Sequence, residues 1–299
     1  MNEEMFELII QSLIYGIIIS AVYGILAMGF SLVAGIMRIL NLAHADFLTL
    51  GAYIAYWLWV FLSLNPVLSL PFSIVFGFVF GIVSFRLLIN KVAISPDSAL
   101  IATFALSGAM QESMKLAWTP NYRGLPWTMG SISYSFLTLP TTYIVTFIAN
   151  IAIILVVYMI TFKTFFGKAF RALTMDRSAA ALCGVNVNAT LAYGFAFASA
   201  LAFTGGNLYV VYASSGIHPY MGSGLMIKAI VIATVGGMGN PWGALIGGIF
   251  IGLLEQLLPV TVLKLFPTVE PFSFTPFIYL LIFLIVLIIR PRGLLGGRV

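Results

Sequence analysis

The sequence predicts an all-α polytopic membrane protein, and two observations predict it: the composition, and apolar runs that recur from end to end. Of 299 residues, 61% are hydrophobic and 8% are charged, against roughly 45–50% and about 25% in a soluble domain. Each long run suffices to cross a hydrocarbon layer of about 30 Å, so the bilayer takes the place of a solvated face. We read a single transmembrane domain over 1–299, with about eight to nine membrane-spanning or half-membrane helices, some of them broken.

Helix 1 covers about 8–35. It follows the acidic Glu3, Glu4 and Glu7 rather than the basic region of a signal peptide, and no small-residue cleavage site ends it, so it is expected to be retained. A polar interruption, Arg38 to Asp46, leads to helix 2 at about 47–64, and after Asn65-Pro66 helix 3 runs to about Ile89. Helix 4 takes the chain from about Ala99 to Trp118, and a polar and aromatic loop reaches Pro140. Helix 5, about 141–162, gives way to the most charged loop, Lys163 to Arg177, and helix 6 spans about 188–212. Two shorter apolar pieces, about 223–236 and 242–258, flank Gly236-Gly-Met-Gly-Asn-Pro241, and a last helix at about 272–289 precedes a tail with three arginines.

Lys and Arg concentrate in cytoplasmic loops. With Lys163–Arg177 inside and both short pieces crossing, ten of fourteen basic residues fall inside, Arg38, Arg86, Lys91 and the tail among them. Lys115, Arg123, Lys228 and Lys264 fall outside or towards the outer half. The N-terminus is therefore expected out and the C-terminus in, whereas one long broken span over 223–258 would put the tail outside. Despite a net charge of +5, the scattered basic residues lack the clustered footprint of a nucleic-acid partner. Cys183 is the sole cysteine, and the histidines are His44 and His218, so an intrachain disulfide is impossible and neither a thiolate cluster nor a structural zinc site is expected.

Several polar or glycine-rich features interrupt this pattern. Isolated glycines such as Gly77 and Gly81 are read as close helix packing. In Gly236-Gly237-Met238-Gly239-Asn240-Pro241-Trp242-Gly243 the proline removes a donor and the glycines lower helix propensity together, so a break is required. Non-helical backbone at membrane depth is tolerated where it is buried in protein or lines a water-filled cavity. That makes Gly237, Gly239, Asn240 and Pro241 candidate pathway or gate residues. Asn41, His44 and Asp46 are candidates on the same ground, with a solvated loop as the alternative. Glu112 and Lys115, three apart on helix 4, read as an ion pair on one helical face. Glu255 and Lys228 are weaker site candidates near the outer interface, and no Asp, Glu and His chain suited to proton relay is visible.

The segment from Gly167 to Asn188 is the most informative. Ala172, Ala179, Ala180 and Ala181 favour a short helix of low side-chain bulk, ended by Gly184 and Asn186. Such a helix offers a neighbour a close-packing face. The pattern Gly167-x-x-x-Arg171-Ala172, then Asp176-x-x-x-Ala180-x-Leu182-x-Gly184-Val185-Asn186, resembles the cytoplasmic coupling region of branched-chain amino acid ABC importer permeases. Asn41-x-Ala43-His44, the run from Gly236 through Ala244, Gly247, Gly248 and Gly252 to Glu255, and Arg290-Pro-x-Gly-Leu294-x-Gly296 resemble three further blocks of that family, in the same order. One departure is Ala45, where the family usually has glycine.

The resemblance implies a multi-pass cell-membrane subunit that pairs with a second permease, identical or homologous, with two cytoplasmic ATPases and with an extracytoplasmic solute-binding protein. It places Gly167, Arg171, Ala172, Asp176, Ala180, Gly184, Val185 and Asn186 at the ATPase contact. The chain has no Gly-x-x-x-x-Gly-Lys-[Ser/Thr] phosphate loop, so ATP is expected to be used by the partners, with no cofactor held directly and no enzyme activity here. Implied substrates are branched-chain or other neutral amino acids, with urea or short amides as the alternative. A secondary transporter or channel is the rival mechanism, although the sequence shows neither an internal repeat nor a carboxylate cluster. A membrane-embedded enzyme would need a nucleophile–base pair or metal set that two distant histidines do not supply.

Overall fold

A computed structural model describes residues 3–92, 95–134, 137–213, 216–265, 271–290 and 293–295. The chain folds as α1 (Glu3–Met37), α2 (His44–Leu62) and α3 (Leu70–Ser84), the last prolonged by a π turn at Phe85–Ile89 and the one-turn α4 (Asn90–Val92). Next come α5 (Pro96–Trp118), a hairpin of β1 (Ser131–Tyr134) and β2 (Leu137–Pro140), and α6 (Thr141–Lys163). The short α7 (Phe165–Met175) and α8 (Arg177–Leu182) lead to α9 (Val187–Tyr209), α10 (Met221–Gly236), α11 (Pro241–Leu265) and α12 (Pro271–Ile289). Among the described residues, six helical stretches are long and apolar enough to cross a membrane, and α10 and Pro276–Ile289 are shorter apolar helices. At 23 residues α5 has the length of those spans but is less apolar.

The predicted order of helices is found, with differences that have local causes. Helix α5 begins at Pro96 rather than near Ala99, because Ser95 and Ser98 form a reciprocal capping box and proline fits the first helical turn. The loop before α6 is partly a β-hairpin in which Ile132 pairs with Leu139 and Tyr134 with Leu137, an alternation of period two that the sequence carries openly. Helix α2 begins at His44, so part of the expected interruption is already helical.

Helices α1 and α9 form the interior, α1 packing on α9, α10 and α11 while α9 packs also on α2 and α3. Lipid tails are as apolar as leucine, so association in a bilayer depends on close van der Waals contact, which small residues permit. Gly16, Ser20 and Gly24 recur every fourth residue on α1 and meet α11, where a Cβ added at Gly248 would lie 2.8 Å from Gly24 Cα and one at Gly252 would lie 2.9 Å from Ser20 Cα. Gly77 and Gly81 have the packing role expected of them, each with the backbone of α9 at its Cα. Away from this interior, α3 and α6 expose Val75, Phe76, Val79, Leu155 and Met159, an apolar surface suited to lipid.

The passes gather the loops at two ends of the bundle. At one end the Arg177 guanidinium donates to Ile36 O at the close of α1 (2.6 Å), the Gly35 and Gly239 backbones touch, and residues 294–295 pair with the end of α10. At the other, Arg123 and Ile217 form a β-bridge and the Tyr15 hydroxyl donates to Thr138 O.

Candidate functional site

Four places hold the residues singled out from the sequence. The first is the elbow α7–α8, which is two helices rather than one. Asp176 separates them and caps α8, accepting from Ser178 N (2.7 Å) and Ala179 N (3.0 Å). These two N–H groups, Ala179 foremost, hold its carboxyl below the usual carboxylate range, with Arg38 contributing. Gly184, at φ +84°, closes α8: Val185 N donates to Ala180 O and Gly184 N to Ala181 O, a paired ending that needs a left-handed residue. Asn186 Oδ1 then caps α9 through Ala189 N (3.0 Å).

Other predicted coupling residues face the protein itself. Gly167 abuts the carbonyl of Thr161, and Arg171 turns back to donate to Thr161 O (3.0 Å) over the Phe162 ring. Ala172 and Val185 are half-buried, and Ala180 is buried in the core. Ala180, expected at the ATPase contact, thus faces the protein itself, since the phase of α8 is set by the break at Asp176. The outward face is made by Ala179, Ala181 and two residues that the sequence reading did not single out, Met175 and Leu182, which are 80% and 90% exposed.

The second place is the turn between α1 and α2. The solvated-loop alternative is excluded: Asn41, His44 and Asp46 are each 1% exposed or less. Asn41 closes the turn, its Oδ1 accepting from Ala43 N and its carbonyl from His44 N, both at 3.2 Å. Thr103 of α5 serves the turn backbone, its Oγ1 accepting from Leu42 N and lying 3.2 Å from Leu40 O. His44 Nε2 lies 3.2 Å from Leu26 O, while His44 Nδ1 and Asn41 Nδ2 are buried without partners among the described residues. Asp46 accepts from Ser107 Oγ (2.5 Å) and Gln111 Nε2 (3.0 Å).

The third place is the break between α10 and α11. Gly237 and Gly239 take φ values of +112° and +85°, which lets the chain reverse before Pro241 opens α11. Val235 and Gly236 carbonyls, freed at the end of α10, accept from Leu294 N (2.8 Å) and Leu295 N (3.0 Å) of the C-terminal tail. Asn240 Oδ1 accepts from Trp242 N and Gly243 N, and its Nδ2 donates to Leu295 O (3.1 Å). Of the predicted tail block, Arg290, Gly293 and Leu294 take part in this seam, whereas Pro291 and Gly296, like Arg292 and Arg298, lie outside the described residues.

The fourth place pairs charges. Lys228 of α10 donates to Glu255 Oε1 of α11 (2.6 Å) and to the Tyr23 hydroxyl of α1 (3.0 Å), so the two weaker candidates neutralise each other across three helices. Glu112 and Lys115 form the expected surface pair at 2.6 Å, with the Tyr220 hydroxyl donating to Glu112.

With this geometry in view, the comparisons with known proteins are decisive. Residues 12–290 match the family described as branched-chain amino acid transport system / permease component. The chain belongs to that family. It is similar to the high-affinity branched-chain amino acid transport system permease protein LivH of Salmonella typhimurium, 27% identical over 98% of this chain and 97% of that protein. The corresponding protein BraD of Pseudomonas aeruginosa is 25% identical over 96% and 95%, and a probable branched-chain amino acid transport permease LivH of Methanocaldococcus jannaschii is 28% identical over 94% and 90%. Among solved structures, PsaBC from Streptococcus pneumoniae in complex with Fab matches with a TM-score of 0.56 at 16% identity, covering 98% of this chain and 97% of that one. That likeness shows the fold. As a permease component, the chain is a multi-pass membrane protein, and its buried polar turn, tied break and projecting elbow are parts of a transport subunit.

Proposed function

We propose that this chain is the membrane-spanning subunit of an ATP-binding-cassette importer that moves branched-chain or other neutral amino acids. The observation that carries the reading is the match over residues 12–290 together with relatives that are named branched-chain amino acid permeases and are covered nearly end to end. The end of the bundle bearing Arg38, Lys163, Lys168, Arg171 and Arg177 is the cytoplasmic one by the basic-residue rule, which puts the N-terminus outside and the C-terminus inside. The α7–α8 elbow projects there, and its exposed Met175, Ala181 and Leu182 suit a groove on a cytoplasmic ATPase. Two such ATPases hydrolyse the ATP, a second permease copy or homologue completes the path, and an external binding protein delivers the solute.

The test is reconstitution of the permease with its ATPases and binding protein in proteoliposomes. ATP-dependent accumulation of leucine is expected, and accumulation of urea instead would overturn the substrate assignment. Leu182→Asp, on the outward face, is expected to abolish both uptake and ATPase co-purification while leaving membrane insertion intact. Normal co-purification with that variant would remove the elbow from the interface.

A further inference from the structure

One buried acidic group has no charge partner among the described residues. Asp46 is 1% exposed, yet its hydrogen bonds come from neutral groups, the Ser107 hydroxyl and the Gln111 amide. The ion pairs among the described residues, Lys115 with Glu112 and Lys228 with Glu255, do not include it. A carboxylate taken out of water without a cation is costly, and an ionisable residue at membrane depth marks a substrate or ion route by default.

The surroundings show where a cation would enter. Gln111 Nε2 lies 3.0 Å from Asp46 Oδ1 and 3.1 Å from Ser223 Oγ, so a short polar chain runs from the carboxylate to the exposed Ser223 on α10. Gly108 on α5 and Gly224 on α10 flank this mouth, and a Cβ at either would meet nothing within 4 Å. The exposed strip of α5 beside them runs from Phe104 and Ala105 through Gly108 and Ala109 to Glu112, and its three small residues leave room for an aliphatic side chain. Gly222 lets α10 pack directly on the carboxylate, because a Cβ there would strike Asp46 Oδ1. A surface with serine, glutamine and a carboxylate behind it is not one that lipid would cover.

We infer that Asp46, with Ser107, Gln111 and Ser223, forms a recognition point for the α-ammonium group of the amino acid in transit, on the permease's path-facing surface between α5 and α10. The substrate ammonium supplies the charge that Asp46 lacks, and the serine hydroxyls accept its remaining N–H groups. The aliphatic part lies along the small residues of α5. This inference rests on the amino-acid reading above.

The experiment compares Ser223→Lys with Ser223→Met in the full importer, reconstituted in proteoliposomes with labelled leucine. Position 223 is exposed, so neither side chain has to enter a packed core. Lysine tethers a resident ammonium at the carboxylate and is expected to lower uptake about tenfold or more relative to methionine, which has similar length and no charge. Asp46→Asn is expected to lower uptake comparably while the complex still assembles on size exclusion. Equal uptake by the two Ser223 variants overturns the site, as does uptake that requires external Na+ or K+, which would assign it to a metal cation. A wild-type importer that accumulates urea and no amino acid overturns the functional reading and this inference with it; leucine uptake by wild type with unaltered Ser223→Lys overturns the site alone.

Discussion

The two interruptions of the bundle are secured in different ways. Between α10 and α11 the freed carbonyls of Val235 and Gly236 are met by backbone N–H groups of the tail, and Asn240 ties the tail again through Leu295. Between α1 and α2 the corresponding backbone groups at Leu40 and Leu42 rely on one side chain, the Thr103 hydroxyl of α5, and two buried polar atoms, Asn41 Nδ2 and His44 Nδ1, have no partner. A break in a sequence shows that backbone groups have been released, but what meets them decides whether the place is a seam or a joint. The α10–α11 break is tied as a seam is; we propose that the α1–α2 turn, held by α5 and next to Asp46, is the joint.

The largest effect should come from opening the seam. Gly293→Ala, at φ +76° with Thr234 O and Gly237 in the way of a Cβ, or removal of the chain from residue 293 onward, leaves two buried carbonyls unmet. A loss of about 2–6 kcal/mol of stability is expected, read as the thermal midpoint of the purified permease, and an unchanged midpoint would show that the tail is dispensable. A smaller effect is expected at the joint. Thr103→Val keeps the shape and removes the hydroxyl, at about 1–3 kcal/mol; if α5 does not hold the turn, the midpoint will not move. The smallest belongs to Asn240→Ala, which removes the cap of α11 at about 1 kcal/mol and should leave uptake per assembled complex unchanged. Uptake lost at full stability would instead make Asn240 a path-lining residue and blur the distinction between seam and joint.

Much of this architecture was legible because its causes are local. Apolar runs delimit the helices, Gly184 ends α8, and Gly77 and Gly81 are spaced one helical turn apart for close contact, whereas Asn186 and Asn240, read as a helix end and a path candidate, cap α9 and α11. The outward face of the elbow was hidden, because the break at Asp176 resets the helical phase and so turns Ala180 inward and Leu182 outward. The surroundings of Asp46 were hidden for a different reason: its partners Ser107 and Gln111 lie 61 and 65 residues along the chain, a separation that no periodicity encodes. The Lys228–Glu255 pair, 27 residues apart on two helices of a hairpin, falls between these cases.

The seam of Gly16, Ser20 and Gly24 against Gly248 and Gly252 has a mechanical consequence. Where helices meet nearly backbone to backbone, as at Gly248 and Gly252, few flexible side chains, Leu245 and Leu253 among them, lie between them to yield under stress by changing rotamer. Helices α1 and α11 therefore behave as one stiff strut. If the elbow docks as proposed, a push received there would enter that strut where Arg177 grips the end of α1 and would be carried along it towards the opposite face of the membrane.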